Sequence, residues 1–106
     1  MVKRGDVWLV CLDPTLGSEI RKTRPCVVIS PPELNQYLKT VIMAPMTSQG
    51  FAAPFRVPLN FQGKDGLVLL DQIRTVDKVR LVKNLGAVPS ATLQQVLRVM
   101  QDLFSA

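Results

Sequence analysis

Histidine is absent from this 106-residue chain, and the absence excludes a large share of enzyme chemistry. It is the one side chain whose unperturbed pKa lies near neutrality. A Ser-His-Asp triad, a Cys-His pair, a histidine metal site and a two-histidine ribonuclease mechanism are therefore all ruled out. Any catalysis must use Arg, Lys, Thr, Ser, Tyr or carboxylates. Cysteine is scarce: Cys11 and Cys26 each lie inside an apolar run, with no partner at metal-ligand spacing. They are expected to be buried reduced thiols rather than a disulfide or a zinc site. Aromatic residues are few (one Trp, one Tyr, four Phe), so no base-stacking platform is evident. Long hydrophobic runs are missing too. The run Val7 to Leu12 is too short for a signal-peptide core, and nothing approaches the ~18 apolar residues of a membrane span. A cytoplasmic protein without membrane association is expected.

What the chain does contain fits one soluble domain over residues 1–106 with a single core. Hydrophobic residues make up 47% and charged ones 20%, a globular balance. Thirteen Lys and Arg against eight Asp and Glu give a net charge of +5, which suits a polyanion or an acidic protein as partner.

Strand signals dominate the first 88 residues. Val7–Leu12 reads as a strand ended by the turn pair Asp13-Pro14, and Cys26–Ser30 as a second strand stopped by Pro31-Pro32. Glu33–Leu38 can form a helical turn. Thr40–Met46 is a third strand, interrupted or ended near Pro45, which should lie at an edge or bulge. Phe55–Leu59 is a fourth. Asn60–Gly66 is a turn-rich connection into a fifth strand at Leu67–Leu70, and a short sixth is expected near Leu85–Val88. The period then changes: Leu93, Val96, Leu97, Met100, Leu103 and Phe104 recur at helical spacing, with Ser90 as N-cap after Pro89. The fold expected is mainly β with a C-terminal amphipathic helix, a small antiparallel barrel that invites dimerisation to complete its burial.

Three polar clusters end apolar strands or lead into them. The first, Gly17 to Pro25, packs three cations and one carboxylate into a loop; Pro25 biases Arg24 toward extended geometry at the mouth of a strand. A guanidinium fork held there suits two phosphate oxygens, although a solvated basic turn has the same composition. The second is Thr47-Ser48-Gln49, either a turn or a pair of hydroxyls aimed at a phosphate. The third, Asp71-Gln72-Ile73-Arg74-Thr75, reads alone as a surface turn with an Asp71–Arg74 ion pair.

In order along the chain, Lys3-Arg4-Gly5-Asp6-Val7-Trp8, Gly17-Ser18-Glu19, Arg24-Pro25, Thr47-Ser48-Gln49, Asp65-Gly66 and Asp71-Gln72-Ile73-Arg74-Thr75 resemble the MazF/PemK toxins, as does the terminal helix. These are sequence-selective endoribonucleases of type II toxin–antitoxin modules. The resemblance implies an SH3-like barrel, a homodimer, an acidic MazE-like antitoxin, and cleavage of single-stranded RNA without a metal or other cofactor. It further implies attack by the 2′-hydroxyl, leaving a 2′,3′-cyclic phosphate and a 5′-hydroxyl. The family's catalytic arginine falls on Arg24 and its catalytic threonine on Thr47. Glu19 matches the acidic residue of the Gly-Ser-Glu loop and is the only carboxylate near Arg24 in sequence, which makes it a candidate base. Gln72 matches a substrate contact. Ser18, Arg21, Lys22, Ser48, Gln49 and Arg74 complete the expected RNA-binding set. The chemistry suits these residues independently, since the phosphorane oxygens gain charge that fixed cationic and hydroxyl donors stabilise. DNA lacks the attacking hydroxyl.

Ile20-Arg21-Lys22-Thr23 and Ser48 depart from smaller or differing residues of some family members, so cleavage specificity is not carried over. Two other readings compete. CcdB-like gyrase-inhibiting toxins share the dimeric SH3-like fold but end in Trp-Gly-Ile, whereas this chain ends Phe104-Ser105-Ala106 and has its only tryptophan at Trp8. A noncatalytic RNA- or protein-binding barrel would use the basic loop for phosphate recognition alone.

Overall fold

The unbroken apolar run at residues 26–29 lies at the centre of the molecule in the computed structural model, which describes residues 1–20 and 22–106. Most of it belongs to β2 (Thr23–Val28), flanked by β1 (Asp6–Cys11) and β3 (Thr40–Thr47). The other strands are β4 (Arg56–Phe61), β5 (Lys64–Leu69), β6 (Arg74–Asp77) and β7 (Leu81–Ala87). Their order across the sheet is β4-β5-β3-β2-β1-β7, with β6 beside the first half of β3. Every pairing is antiparallel. Among the described residues two α-helices complete the fold, the short α1 (Pro32–Tyr37) and the long α2 (Ser90–Leu103), with single 3-10 turns at Leu70–Gln72 and Lys78–Arg80. No helix among the described residues is long and apolar enough to cross a membrane.

The sheet curls, and both of its faces are buried at the centre. Side chains alternate across a strand, so Val7, Val27, Ala44, Met46, Val57 and Val68 form one core, which Val96 of α2 joins and Leu93, Leu97 and Met100 cover. Val10, Cys26, Val28, Val41, Met43 and Val76 form a second core on the opposite face, closed by Trp8, Ile20 and Leu81. A strand buried on both faces needs continuous rather than alternating hydrophobicity, which is why 26–29 shows no period.

Four expectations are corrected. Pro45 neither ends β3 nor lies at an exposed edge: it is buried, opposite Cys26, within a strand that continues to Thr47. It occupies the gap between the last rung from β3 to β6, at Met43, and the first to β5, at Met46, a place where a ladder donor is dispensable. Residues 60–66 are not one long connection. Gln62 and Gly63 both have positive φ (53° and 80°), and this two-residue turn brings Phe61 opposite Lys64. An additional strand, β6, lies within the segment read as a surface turn. Finally, α2 begins at Ser90 with Pro89 in the capping position and no side-chain cap, so Ser90 is the first helical residue and not the cap.

Candidate functional site

Where β3 leaves β2, the sheet opens. The last paired residues of that ladder are Cys26 and Pro45. Two residues further along each strand stand Arg24 and Thr47, while Met46 and Thr47 have already joined β5 opposite Val68 and Leu67. The wedge is a cavity of about 260 Å³ lined by Arg24, Pro25, Thr47 and Ser48 together with Leu59, Phe61, Lys64 and Gly66. Arg24 and Thr47, separated by 22 intervening residues in the chain, thus share a cleft because the β2–β3 register ends there. Both are half-buried; Ser48 and Gln49 are exposed.

The Thr47 hydroxyl oxygen accepts the Gln49 N–H at 3.1 Å, forming the turn that the Thr-Ser pair suggested. Its hydroxyl hydrogen remains a donor. Gly66 decides how closely β5 approaches: a Cβ there would lie 2.7 Å from the Thr47 carbonyl oxygen, inside van der Waals contact. Glycine is therefore required at the wall that fixes Thr47.

A second cavity of about 570 Å³ gathers Ser18, Glu19, Ile20, Asp71, Gln72, Ile73 and Arg74. The Gly17–Ile20 loop is tied to it by the Ile20 N–H donating to Gln72 Oε1 at 2.7 Å. Glu19 Oε1 accepts the Leu16 N–H at 2.5 Å, and the Glu19 N–H donates to the Leu16 carbonyl at 3.1 Å. Glu19 thus lines the cleft with Gln72 rather than the one with Arg24 and Thr47. Sequence adjacency to Arg24 suggested otherwise.

Several expected RNA contacts also have structural partners. Arg74 Nη1 donates to the Leu12 carbonyl at 3.1 Å, and Arg80 Nη1 to the carbonyls of Cys11 and Asp13 at 3.2 and 2.7 Å, so two guanidiniums hold the base of the loop. The exposed Lys22 has a left-handed backbone (φ 71°), and its N–H donates to Asp13 Oδ1 at 3.1 Å. Arg21 lies outside the described residues. The expected Asp71–Arg74 pair is replaced: Asp71 receives both Nε and Nη2 of Arg56 at 3.1 Å, a bidentate fork across β4 and the turn after β5. Hydrogen bonding to Asp71 raises the Arg56 pKa further. Nothing in the local sequence announces that partner, which is 15 residues away.

Cys26 joins the two clefts electrostatically. Burial pushes its thiol up to about 12, opposed by the positive charges of Arg74 and then Arg24, so both guanidiniums act on the same buried sulfur. Both cysteines are free thiols; Cys11 is half-buried. Among the described residues, no three His, Cys, Asp or Glu side chains gather closely enough to hold a metal ion.

Over residues 3–104 the chain matches the family of PemK-like, MazF-like toxins of type II toxin–antitoxin systems. It is 41% identical over 102 aligned residues to the endoribonuclease PemK of Escherichia coli, spanning 91% of this chain and 77% of that protein. Its fold is similar to MazF of Deinococcus radiodurans, with a TM-score of 0.85, 29% identity, and coverage of 96% and 94% of the two chains. A chain from the MazE–MazF crystal structure of the same organism aligns with a TM-score of 0.76 and 27% identity, covering 96% and 94%. The match to these structures covers the curled antiparallel sheet and the C-terminal helix together.

Proposed function

The chain belongs to the PemK/MazF family of type II toxins, and we propose that it is an endoribonuclease that cleaves single-stranded RNA at the Arg24–Thr47 cleft. The observation that supports this reading is that Arg24 and Thr47, both half-buried, line one solvent-open wedge. In the reaction proposed, the ribose 2′-oxygen attacks the adjacent phosphorus. The bond from phosphorus to the 5′-oxygen breaks, the 2′-proton leaves to a base, and the 5′-oxygen takes up a proton. The products are a 2′,3′-cyclic phosphate and a 5′-hydroxyl.

Arg24 carries a permanent charge that opposes the one developing on the nonbridging oxygens, and Thr47 adds a neutral donor. Well-placed donors of this kind contribute on the order of 3–4 kcal/mol each. General-acid action by arginine runs against its reference pKa of about 12.5 or above, so its role is electrostatic. Glu19, engaged by the Leu16 N–H in the neighbouring cleft, is assigned to the substrate groove with Ser18, Gln72 and Arg74 rather than to proton transfer. Ser48, Gln49 and Lys22 extend the contact surface. The net charge of +5 favours both RNA and an acidic antitoxin. A homodimer bound by a MazE-like antitoxin is the assembly proposed, in keeping with the MazE–MazF complex of the related structure.

The test is incubation of the folded protein with a long single-stranded RNA in EDTA, followed by mapping of the fragment 5′ ends. Discrete cuts bearing 5′-hydroxyl and 2′,3′-cyclic phosphate ends are expected, and a 2′-deoxy substitution at the cut site should block them. Intact RNA after prolonged incubation would overturn the assignment, and cutting that EDTA abolishes would overturn its metal independence.

A further inference from the structure

Phe51 is a large apolar side chain left 72% exposed in the segment that follows Thr47. Its ring nonetheless has a partner. The Arg56 guanidinium lies under it at 4.7 Å from the ring centroid, and Arg56 Nη1 donates to the Phe51 carbonyl at 3.4 Å. The other two Arg56 contacts are the bidentate fork to Asp71. One side chain therefore holds the ring from below and is itself anchored to the turn that carries Gln72.

Gly50 places this assembly beside the proposed centre. The position of a Cβ on Gly50 lies 3.6 Å from Thr47 Cγ2 and 3.8 Å from Arg56 Nη1. The platform is thus adjacent to Thr47 on one side and, through Asp71, borders the Ser18–Gln72 cleft on the other. A cation under one ring face polarises the ring and leaves the opposite face to stack. Every nucleobase presents a π-face, and an aromatic ring beside a phosphate-binding groove is a general means of holding single strands.

We propose that Phe51, clamped by Arg56 and Asp71, stacks on a nucleobase next to the scissile phosphate and so sets substrate affinity. The inference rests on the ribonuclease reading for the identity of the ligand, and it assigns Phe51 a binding role without a part in bond breaking.

The experiment uses short RNA oligonucleotides with a 2′-deoxy sugar at the cut site, so that they bind without being cleaved. 2-Aminopurine is scanned through the positions flanking that site. The wild-type protein should quench or shift its fluorescence at one flanking position, and Phe51→Ala should remove that signal and weaken binding roughly tenfold. Phe51→Trp should keep both; Phe51→Leu, apolar but not aromatic, should lose both. On cleavable RNA, Phe51→Ala should raise KM with kcat unchanged. A wild-type signal at no position, or Phe51→Leu binding as tightly as wild type, would overturn the stacking role. Position-specific signal in a protein that fails to cut would leave the platform standing and remove the nuclease reading instead.

Discussion

Arg24 and Thr47 are chemically ordinary residues, and the role proposed for them comes from where the ladder between their strands ends. Arg24→Ala should lower the RNA cleavage rate on the order of 10²–10³-fold, the loss typical of one preorganised donor at a developing oxyanion. Arg24→Lys keeps the charge but loses the planar fork, so it should recover only part. Thr47→Ala should fall comparably, whereas Thr47→Ser retains the hydroxyl and should stay closer to wild type. Initial rates on a fluorogenic oligonucleotide, with circular dichroism to verify folding, measure all four. Wild-type rates in either alanine variant would show that the reacting phosphate binds elsewhere. At this scale the sequence was informative about residue type but not about partnership. Pro25 gave Arg24 a defined place at the mouth of a strand, whereas Thr47 was singled out only by the family resemblance, since its place after an apolar strand suits a turn equally well. The pairing of Asp71 with Arg56 was not legible, because an ion pair across two elements leaves no local spacing to read.

Elements decide how firmly these residues are held. Gly66 lies in β5 directly against the Thr47 carbonyl oxygen, where an added Cβ would be 2.7 Å away. Gly66→Ala must therefore displace either β5 or the end of β3. It should destabilise the protein by about 1–3 kcal/mol, the usual cost of overpacking, and reduce cutting at temperatures where the protein remains folded. Gly63→Ala is the matched control: its φ of 80° makes alanine strained, but nothing lies within 4 Å. It should lower the melting temperature without lowering the cleavage rate of the folded protein. Equal rates in both variants would show that β5 does not position Thr47. Strand periods and the helical period of 93–104 were readable because burial imposes them. The position of Pro45 was not, because a proline in a strand signals a missing donor and does not reveal that the missing rung falls between β6 and β5.

Over the whole molecule, the doubly buried β2 links stability to pH. The Cys26 thiol has its ordinary value of 9.0 in the unfolded chain and about 12 in the folded one. Between those values the unfolded state has lost the proton that the folded state still holds, so stability must fall as pH rises. The contribution is complete below about pH 9 and is lost progressively toward pH 12, with a limiting slope of about 1.4 kcal/mol per pH unit. Urea midpoints from pH 8 to 10.5 should fall for the wild-type protein, and Cys26→Ala should show a shallower alkaline decline from its lower starting stability. Identical slopes would mean that the thiol ionises equally in both states.

The sequence by itself determined what chemistry was open to this protein. Without histidine, any reaction must rely on Arg, Lys, hydroxyl groups or carboxylates, and the excess of Lys and Arg favours a polyanionic substrate. It also determined the mainly β fold with its terminal helix, because hydrophobic periodicity is a local consequence of burial. The tertiary structure decided which of the polar clusters meet. It brought Arg24 to Thr47, sent Glu19 to Gln72, and placed Arg56 beneath Phe51. Such meetings depend on strand register and on the point at which β3 exchanges one neighbour for another, and both are set by packing between distant segments.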